Sequence, residues 1–210
     1  MRLKRREDGR MHEMVENWKW NYYLIIVNIV GFVVYLINKW LYDNTAEGQI
    51  DALLTIVSLA GGSLGIVVAI LLFDRKPEKG NMMSRVFVAV VLVIQIIIFL
   101  IAKGFIAKEL HFAFWQFFSD HKWLVYYLVI INVITLVAFG IDKINAIEHR
   151  SRIRIITLLG LAFIGGSIGA LIAMYAFRHK TRVDYFTVGV PLILIMQIIV
   201  LFYMMNLPEI

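Results

Sequence analysis

The chain contains no cysteine and has few charged residues. Because none of its 210 residues is cysteine, disulfides, thiolate nucleophiles and cysteine-bound metals are excluded. Charged residues make up 17% of the sequence, compared with about 25% in soluble domains. Hydrophobic residues make up 60%, and the mean hydropathy is +0.77. This composition is typical of a protein embedded in a lipid bilayer.

Motifs for catalysis, metal binding and nucleic-acid binding are also missing. The five histidines show no metal-ligand spacing, and the sequence has no Gly-x-Ser-x-Gly elbow and no phosphate loop. The net charge of +6 comes from basic residues next to apolar runs, without a recognition motif for nucleic acid. We therefore expect no cofactor, no metal and no nucleic-acid partner. Enzymatic activity stays open, with a non-enzymatic protein favoured.

Six apolar stretches are long enough to cross a bilayer as helices. Each has about 17 to 23 residues, which covers roughly 30 Å of hydrocarbon at about 1.5 Å per residue. They are residues 20–37, 52–73, 86–102, 123–141, 155–177 and 185–205. The sequence thus predicts an all-α, multi-pass protein of the cell membrane with six transmembrane helices.

The two halves of the chain resemble each other at an offset of 104 residues. The matched pairs include Asn28 with Asn132, Lys39 with Lys143, Gly61 with Gly165 and Lys76 with Lys180, and Gln95 matches Gln197 after a two-residue slip. A common offset across polar and glycine positions indicates an internal duplication. We divide the chain into a basic tail (1–19), repeat 1 (20–103), a linker (104–122) and repeat 2 (123–206).

Three spans per repeat would make repeat 2 enter the membrane from the opposite face, so we expect inverted repeats. With the N-terminus inside, the inner segments hold 14 Lys and Arg residues and the outer segments hold 7, which places both termini in the cytoplasm. In the alternative, each Gly-Gly-Ser segment is a re-entrant hairpin and the repeats are parallel. That alternative places 12 basic residues outside and 9 inside, and it is the second choice.

The linker is predicted to form an interfacial helix between the repeats. Lys108, Glu109 and His111 would make a seventh span costly. Its aromatic residues suit the boundary between hydrocarbon and headgroups.

Small and amide side chains interrupt the apolar runs. Glycines spaced for close helix packing are Gly61, Gly62 and Gly65 in repeat 1 and Gly165, Gly166 and Gly169 in repeat 2. They predict that helices two and five cross, although a glycine-lined break or narrow pore is a second interpretation. The amides near the centres of spans are Asn28, Gln95, Asn132 and Gln197. Interhelical bonding is the simpler account of these amides, and a polar lining for a permeating species is the other.

Charged residues at the span ends predict two basic pockets, one on each face of the membrane. A straight fifth helix would separate Asp142 from His179 by roughly 35 Å, so inversion is needed to bring partners together. The inner pocket would contain Asp142, Lys143, Arg152, Arg75 and Lys76, and the outer pocket Arg178, His179, Lys180, Asn38 and Lys39. Each would bind an anionic group, including a lipid headgroup, unless the charges only set orientation.

Repeat 2 resembles the membrane protein family called domain of unknown function 1294. The resemblance covers roughly 123–203 and rests on Asn132, Ile141-Asp142-Lys143, Arg152-Ile153, Gly165-Gly166-Ser167 and Arg178-His179-Lys180-Thr181. Repeat 1 is a degenerate copy, in which Asn38 replaces the aspartate. The resemblance implies a membrane protein and supplies no activity.

Together these features predict a small transporter or channel-like module for a small ion or solute. The alternatives are a protein that binds or modifies anionic lipid headgroups and a helical scaffold for a partner protein. Self-association is compatible with all three.

Overall fold

The computed structural model of the protein describes residues 2–44, 51–75, 80–107 and 109–207, and it consists of helices and turns, without a strand in these ranges. Side chains are described from residue 19 onward, except at Asp51. The helices are α1 (Arg2–Asn44), α2 (Asp51–Val57), α3 (Ser63–Phe73), α4 (Met82–Ala102), α5 (Phe114–Asp120), α6 (Lys122–Ile147), α7 (Ile155–Leu161), α8 (Ser167–Ala176), α9 (Asp184–Thr187) and α10 (Gly189–Met205).

Six helical stretches are long and apolar enough to cross a membrane. By length and composition they are Lys19–Asn44, Ala52–Phe73, Met82–Ala102, Lys122–Ile147, Ile155–Ala176 and Asp184–Met205. The described residues thus confirm the predicted all-α class and its six stretches of membrane-spanning length and composition.

The chain packs as two compact units, Met1–Lys76 and Pro77–Ile210. Unit 1 contains α1 to α3, and unit 2 contains α4 to α10. Packing units and sequence repeats thus differ, because the last helix of repeat 1, α4, belongs to unit 2.

In unit 2, the segment Ile155–Ala176 folds back on itself. Gly165 has a φ of +132°, and a widened π-type turn at Ala162–Gly166 separates α7 from α8. The backbone N of Ile153, before α7, lies 2.9 Å from Asp142 Oδ1, and His179, after α8, lies 2.8 Å from Asp142 Oδ2. A straight helix of this length would hold its ends about 33 Å apart. We call the pair α7–α8 hairpin 2, because both of its ends meet at one carboxylate.

The path of hairpin 2 follows α6 in both directions. Its turn lies beside the middle of α6, where Gly169 N donates to Asn132 Oδ1 at 2.6 Å. From there α8 runs parallel to α6, so that a Cβ on Gly140 would meet the ring of Phe177 at 3.4 Å. The prediction that this segment crosses the membrane as one straight helix is wrong, because the left-handed glycine reverses the chain at mid-length.

Unit 1 has the same internal geometry. Gly61 has a φ of +113°, and Gly65 N donates to Asn28 Oδ1 at 2.8 Å. Beyond the turn, α3 runs parallel to α1 and ends where Tyr35 donates to Asp74 at 2.5 Å. We call α2–α3 hairpin 1.

The third helices of the two repeats, α4 and α10, lie side by side in unit 2 and point the same way. At their first turns, a Cβ on Gly189 would meet Val86 Cγ1 at 3.2 Å. Just beyond their last turns, Ala107 N donates to Asn206 O at 2.8 Å. Inverted repeats would make these two helices antiparallel, so the prediction of inverted repeats is wrong. The physical cause is the hairpin: with two crossings per repeat, the odd number of spans that required inversion no longer exists.

The core of unit 2 is formed where α4, hairpin 2 and α10 meet α6. Its fully buried side chains include Phe139, Leu158, Met174, Phe186 and Ile193. The predicted interfacial helix is shorter than the linker and covers Phe114–Asp120. Trp115 within it is 92% exposed, as an aromatic residue at a lipid boundary would be in the absence of lipid.

Candidate functional site

Asn132 hydrogen-bonds to both sides of the turn that separates α7 from α8 in hairpin 2. Its Nδ2 donates to Gly165 O at 2.9 Å, and its Oδ1 accepts from Gly169 N at 2.6 Å. The first bond satisfies a carbonyl at the end of the α7 side, and the second satisfies an N–H at the start of α8. A helix break inside hydrocarbon needs such partners, because each backbone N–H or C=O group left unpaired there costs roughly several kcal/mol.

Gln197 on α10 completes the same break from the other side. Its Nε2 donates to Ala162 O at 2.7 Å and to Phe163 O at 3.1 Å, while Ser167 donates to its Oε1 at 2.5 Å. The simpler account of these amides, bonding between elements within the membrane, therefore holds for Asn132 and Gln197. In unit 1, Asn28 accepts from Gly65 N at the start of α3, and its Nδ2 donates to Leu24 O within α1. Gln95 is a half-buried residue of α4.

The small residues pack hairpins against the first helix of their own repeat. A Cβ on Gly169 would lie 2.1 Å from Asn132 O, and one on Gly65 would lie 1.9 Å from Asn28 O. These glycines were expected to join helices two and five, and that assignment is wrong. The backbone of α6 or α1 occupies the glycine face, which brings the amide of Asn132 or Asn28 within bonding distance of the hairpin.

At the base of hairpin 2, three titratable side chains meet. Asp142 is fully buried, and its Oδ2 lies 2.8 Å from His179 Nε2 and 2.9 Å from Lys180 Nζ. Its Oδ1 accepts from Ile153 N. The side chains of His179 and Lys180 are each 12% exposed. We call Asp142, His179 and Lys180 the charge cluster.

The backbone conformation at the end of α8 places His179 and Lys180 next to Asp142. Arg178 adopts a left-handed φ of 47°, and His179 N donates to Met174 O at 3.0 Å, which is the usual termination of a helix by a left-handed residue. Lys180 also has a positive φ, 62°. Its Nζ lies 4.6 Å from the centroid of the Phe186 ring, so the ammonium contacts an aromatic face as well as the carboxylate.

The charge cluster corrects the two-pocket prediction. Asp142 was assigned to the inner pocket, and His179 and Lys180 to the outer one, on the assumption of a straight helix between them. The hairpin brings the three side chains together in one unit. Half-buried Lys143 and exposed Arg152 and Arg178 belong to the same end of unit 2.

Electrostatics at the cluster act strongly on Lys180. Burial lowers the pKa of the Lys180 ammonium below its ordinary value, because a desolvated cation is disfavoured. The Asp142 carboxylate opposes this shift, and the positive charge of Arg152 adds to it.

Unit 1 carries a different set of groups at the base of hairpin 1. Asn38 stands at the position matching Asp142, and Lys39 pairs with Asp43 at 3.0 Å. Arg75 Nε donates to Leu71 O at 3.0 Å. The carboxylate at this end of unit 1 is that of Asp74, which follows α3 and accepts a hydrogen bond from Tyr35. Lys76, predicted for the inner pocket, lies outside the described residues.

Two tyrosines support the hairpin turns. Both lie in the Tyr-Tyr-Leu segments 22–24 and 126–128, which match at the 104-residue offset, but neither was predicted as a site residue. Tyr127 donates to Ile164 O, and Tyr23 donates to Ala60 O at 2.7 Å. Both belong to the repeated Tyr-Tyr-Leu motif. This motif repeats at the same 104-residue offset as the glycines, and that repetition was the sequence signal for the two tyrosines.

The fold and the site together define a helical protein with six stretches long and apolar enough to cross a membrane, a hairpin within the fifth of them and a buried charge cluster. The family model described as "Protein of unknown function (DUF1294)" matches residues 132–186. The "Uncharacterized protein YsdA" of Bacillus subtilis (strain 168) is 40% identical over 75 residues, which cover 36% of this chain and 84% of that protein. The chain therefore belongs to this family of unknown function. No solved structure matches it.

Proposed function

We propose that the protein is a small transport module that moves an ion or small solute across the membrane. The single observation that carries this proposal is the break in hairpin 2, where Gly165 reverses the chain among polar side chains at mid-length. Discontinuous helices at membrane depth are a feature of transporters and channels, in which irregular backbone is buried in protein or lines a path.

Besides their structural bonds, the side chains at the break supply the kind of polar groups that a transport path requires. Asn132, Ser167 and Gln197 bring two amides and a hydroxyl to one place inside otherwise apolar spans. Neutral polar groups can replace water around a small permeating species without trapping it.

The orientation that we propose places the charge cluster in the cytoplasm. In unit 2, the described residues at that end include eight Lys and Arg, namely Arg85 and those of segments 142–154 and 178–184, while the described residues of segment 103–122 at the other end include two. The positive-inside rule then places the cluster end inside. The C-terminal end of α10 would face outward, in contrast to the cytoplasmic C-terminus expected from six straight spans.

The experiment is a flux assay in liposomes containing the purified protein. A panel of Na⁺, K⁺, Cl⁻, phosphate and H⁺ gradients identifies the permeating species. Ser167→Leu should lower the flux by about tenfold or more, because an apolar side chain then fills the break. The matched control is Ser63→Leu at the corresponding position of hairpin 1. Wild-type flux equal to that of empty liposomes across the panel, or full flux in Ser167→Leu, would refute the proposal.

A second candidate is the binding of anionic lipid headgroups at the cluster end. It is favoured by exposed Arg152 and Arg178 and half-buried Lys143, which belong to the same end of unit 2. In the same liposomes, it predicts that the protein retains phosphatidylglycerol over phosphatidylcholine and that Arg152→Gln reduces this preference. Equal retention of both lipids would exclude it.

A further inference from the structure

In the charge cluster, two side-chain nitrogens share one carboxylate oxygen. Asp142 Oδ1 is occupied by the backbone N–H of Ile153, so His179 and Lys180 both use Oδ2, at 2.8 and 2.9 Å. A carboxylate is acceptor-only, so His179 Nε2 must carry a hydrogen toward it. With a neutral imidazole and a charged ammonium, the cluster has no net charge.

A further proton on His179 would give this buried cluster a net positive charge. The carboxylate can balance only one of the two cations, and burial makes the excess charge costly. Imidazole is the side chain that accepts a proton near neutral pH, and His179 is 12% exposed, which gives it access to water.

The surroundings oppose the second cation further. The charged or titratable groups at this end of unit 2 are Lys143 on α6, Glu148, His149, Arg150, Arg152 and Arg154 between α6 and α7, Arg178 and Arg182 between α8 and α9, Asp184 and Tyr185 on α9, and Arg85 on α4. Seven of these eleven are Lys or Arg, and the carboxylates of Glu148 and Asp184 both belong to exposed residues. The extra positive charge is therefore relieved most directly by moving Lys180 away from Asp142.

We propose that the charge cluster is a proton-binding site, and that loading His179 releases Lys180 and loosens the end of α8 from α6. The same carboxylate holds the start of hairpin 2 through Ile153, so the release would act on the C-terminal half of the hairpin first. The ligand is a proton taken from the aqueous phase at the cluster end. Only the further step, that this proton is coupled to transport, rests on the proposed function.

Unit 1 provides an internal comparison. Its hairpin ends where a tyrosine hydroxyl donates to Asp74, and Asn38 replaces the carboxylate of the helix. Neither tyrosine nor asparagine gains a proton near neutral pH. The proton site is thus assigned to hairpin 2.

The test is a distance measurement between the ends of α6 and α8. Because the chain has no cysteine, Ile147→Cys and Tyr175→Cys, both at exposed positions, can carry spin labels on the full chain in liposomes. We expect one short distance at about pH 8 and a second, longer one at about pH 5, on either side of the usual histidine pKa.

Three variants complete the test. In His179→Gln, the amide can donate to Asp142 without titrating, so the short distance should persist at both pH values. His121→Gln in the exposed linker should respond as the wild type does. Lys180→Met should leave Asp142 to a protonated His179 alone, so that low pH no longer lengthens the distance.

The outcomes separate this inference from the transport proposal. A wild-type distance that ignores pH, or a His179→Gln protein that still responds, would overturn the proton site whatever the flux assay gives. A pH-dependent distance without any flux would reject transport and leave the proton site supported.

Discussion

Lys180 experiences burial and two neighbouring charges that act on its pKa in different directions. Burial and Arg152 lower the pKa, and Asp142 raises it, with a net lowering. The unfolded chain therefore binds more protons than the folded one between the lowered value and the ordinary lysine value of about 10.4. Over that window the free energy of unfolding rises with pH, and below it the penalty for the charged form is complete.

The lowered pKa predicts an amine that reacts at lower pH than an ordinary lysine. Lys180 can be labelled with an amine-reactive reagent over a series of pH values and the product quantified by mass spectrometry. The pH at which labelling reaches half of its maximum should lie below the usual pKa range of lysine. Arg152→Gln should move this midpoint upward, because it removes a repelling charge. Arg178→Gln, next to the cluster in sequence, is the matched control. A midpoint that rises equally in both variants would contradict the assigned role of Arg152.

At the scale of the element, hairpin 2 depends on partners that replace lost backbone bonds. Gln197 donates to two carbonyls at the end of the α7 side, Ala162 O and Phe163 O. Leucine at that position would fill a similar volume and leave both carbonyls without this donor. The hairpin should then lose stability while its apolar packing stays.

Gln197→Leu should lower the free energy of unfolding in detergent by about 1–3 kcal/mol, the cost of buried carbonyls that lose their donor. Thermal unfolding followed by circular dichroism measures the change. Ile198→Leu, at the exposed neighbouring residue, should change stability little. Equal stability of the wild type and Gln197→Leu would show that the bonds to the break contribute nothing.

The sequence predicts the existence of these elements much better than the direction in which they run. Apolar length placed all six helical stretches, since hydropathy depends on composition alone. The duplication identified both amides and glycines at the breaks. The Gly-Gly-Ser segments fit either a straight 22-residue helix or two short ones, because glycine adopts helical and left-handed conformations with similar ease. The count of basic residues, with the N-terminus placed inside, ranked the straight helix first. The cluster was missed for this reason, although its three residues were all named.

At the scale of the molecule, the direction of hairpin 2 decides which loops share a side of the membrane. Both ends of the hairpin lie at the cluster end of unit 2, and α4 and α10 begin there. The linker lies at the other end, where Asn206 Oδ1 accepts from His111 N at 2.7 Å. A straight fifth helix would instead separate the loops before and after it by the thickness of the bilayer.

Cysteine accessibility distinguishes these two paths. Ser151→Cys precedes hairpin 2, Arg182→Cys follows it, and Ser119→Cys lies in the linker, all at exposed positions of a chain without native cysteine. In oriented membrane vesicles, an impermeant thiol reagent should label the first two from the same side and the third from the opposite side. If the first two respond from opposite sides, hairpin 2 crosses the bilayer, and Asp142 cannot hold both of its ends. The positive-inside rule further predicts that the shared side is the cytoplasm, since desolvation and the membrane potential both favour retaining the basic loops there.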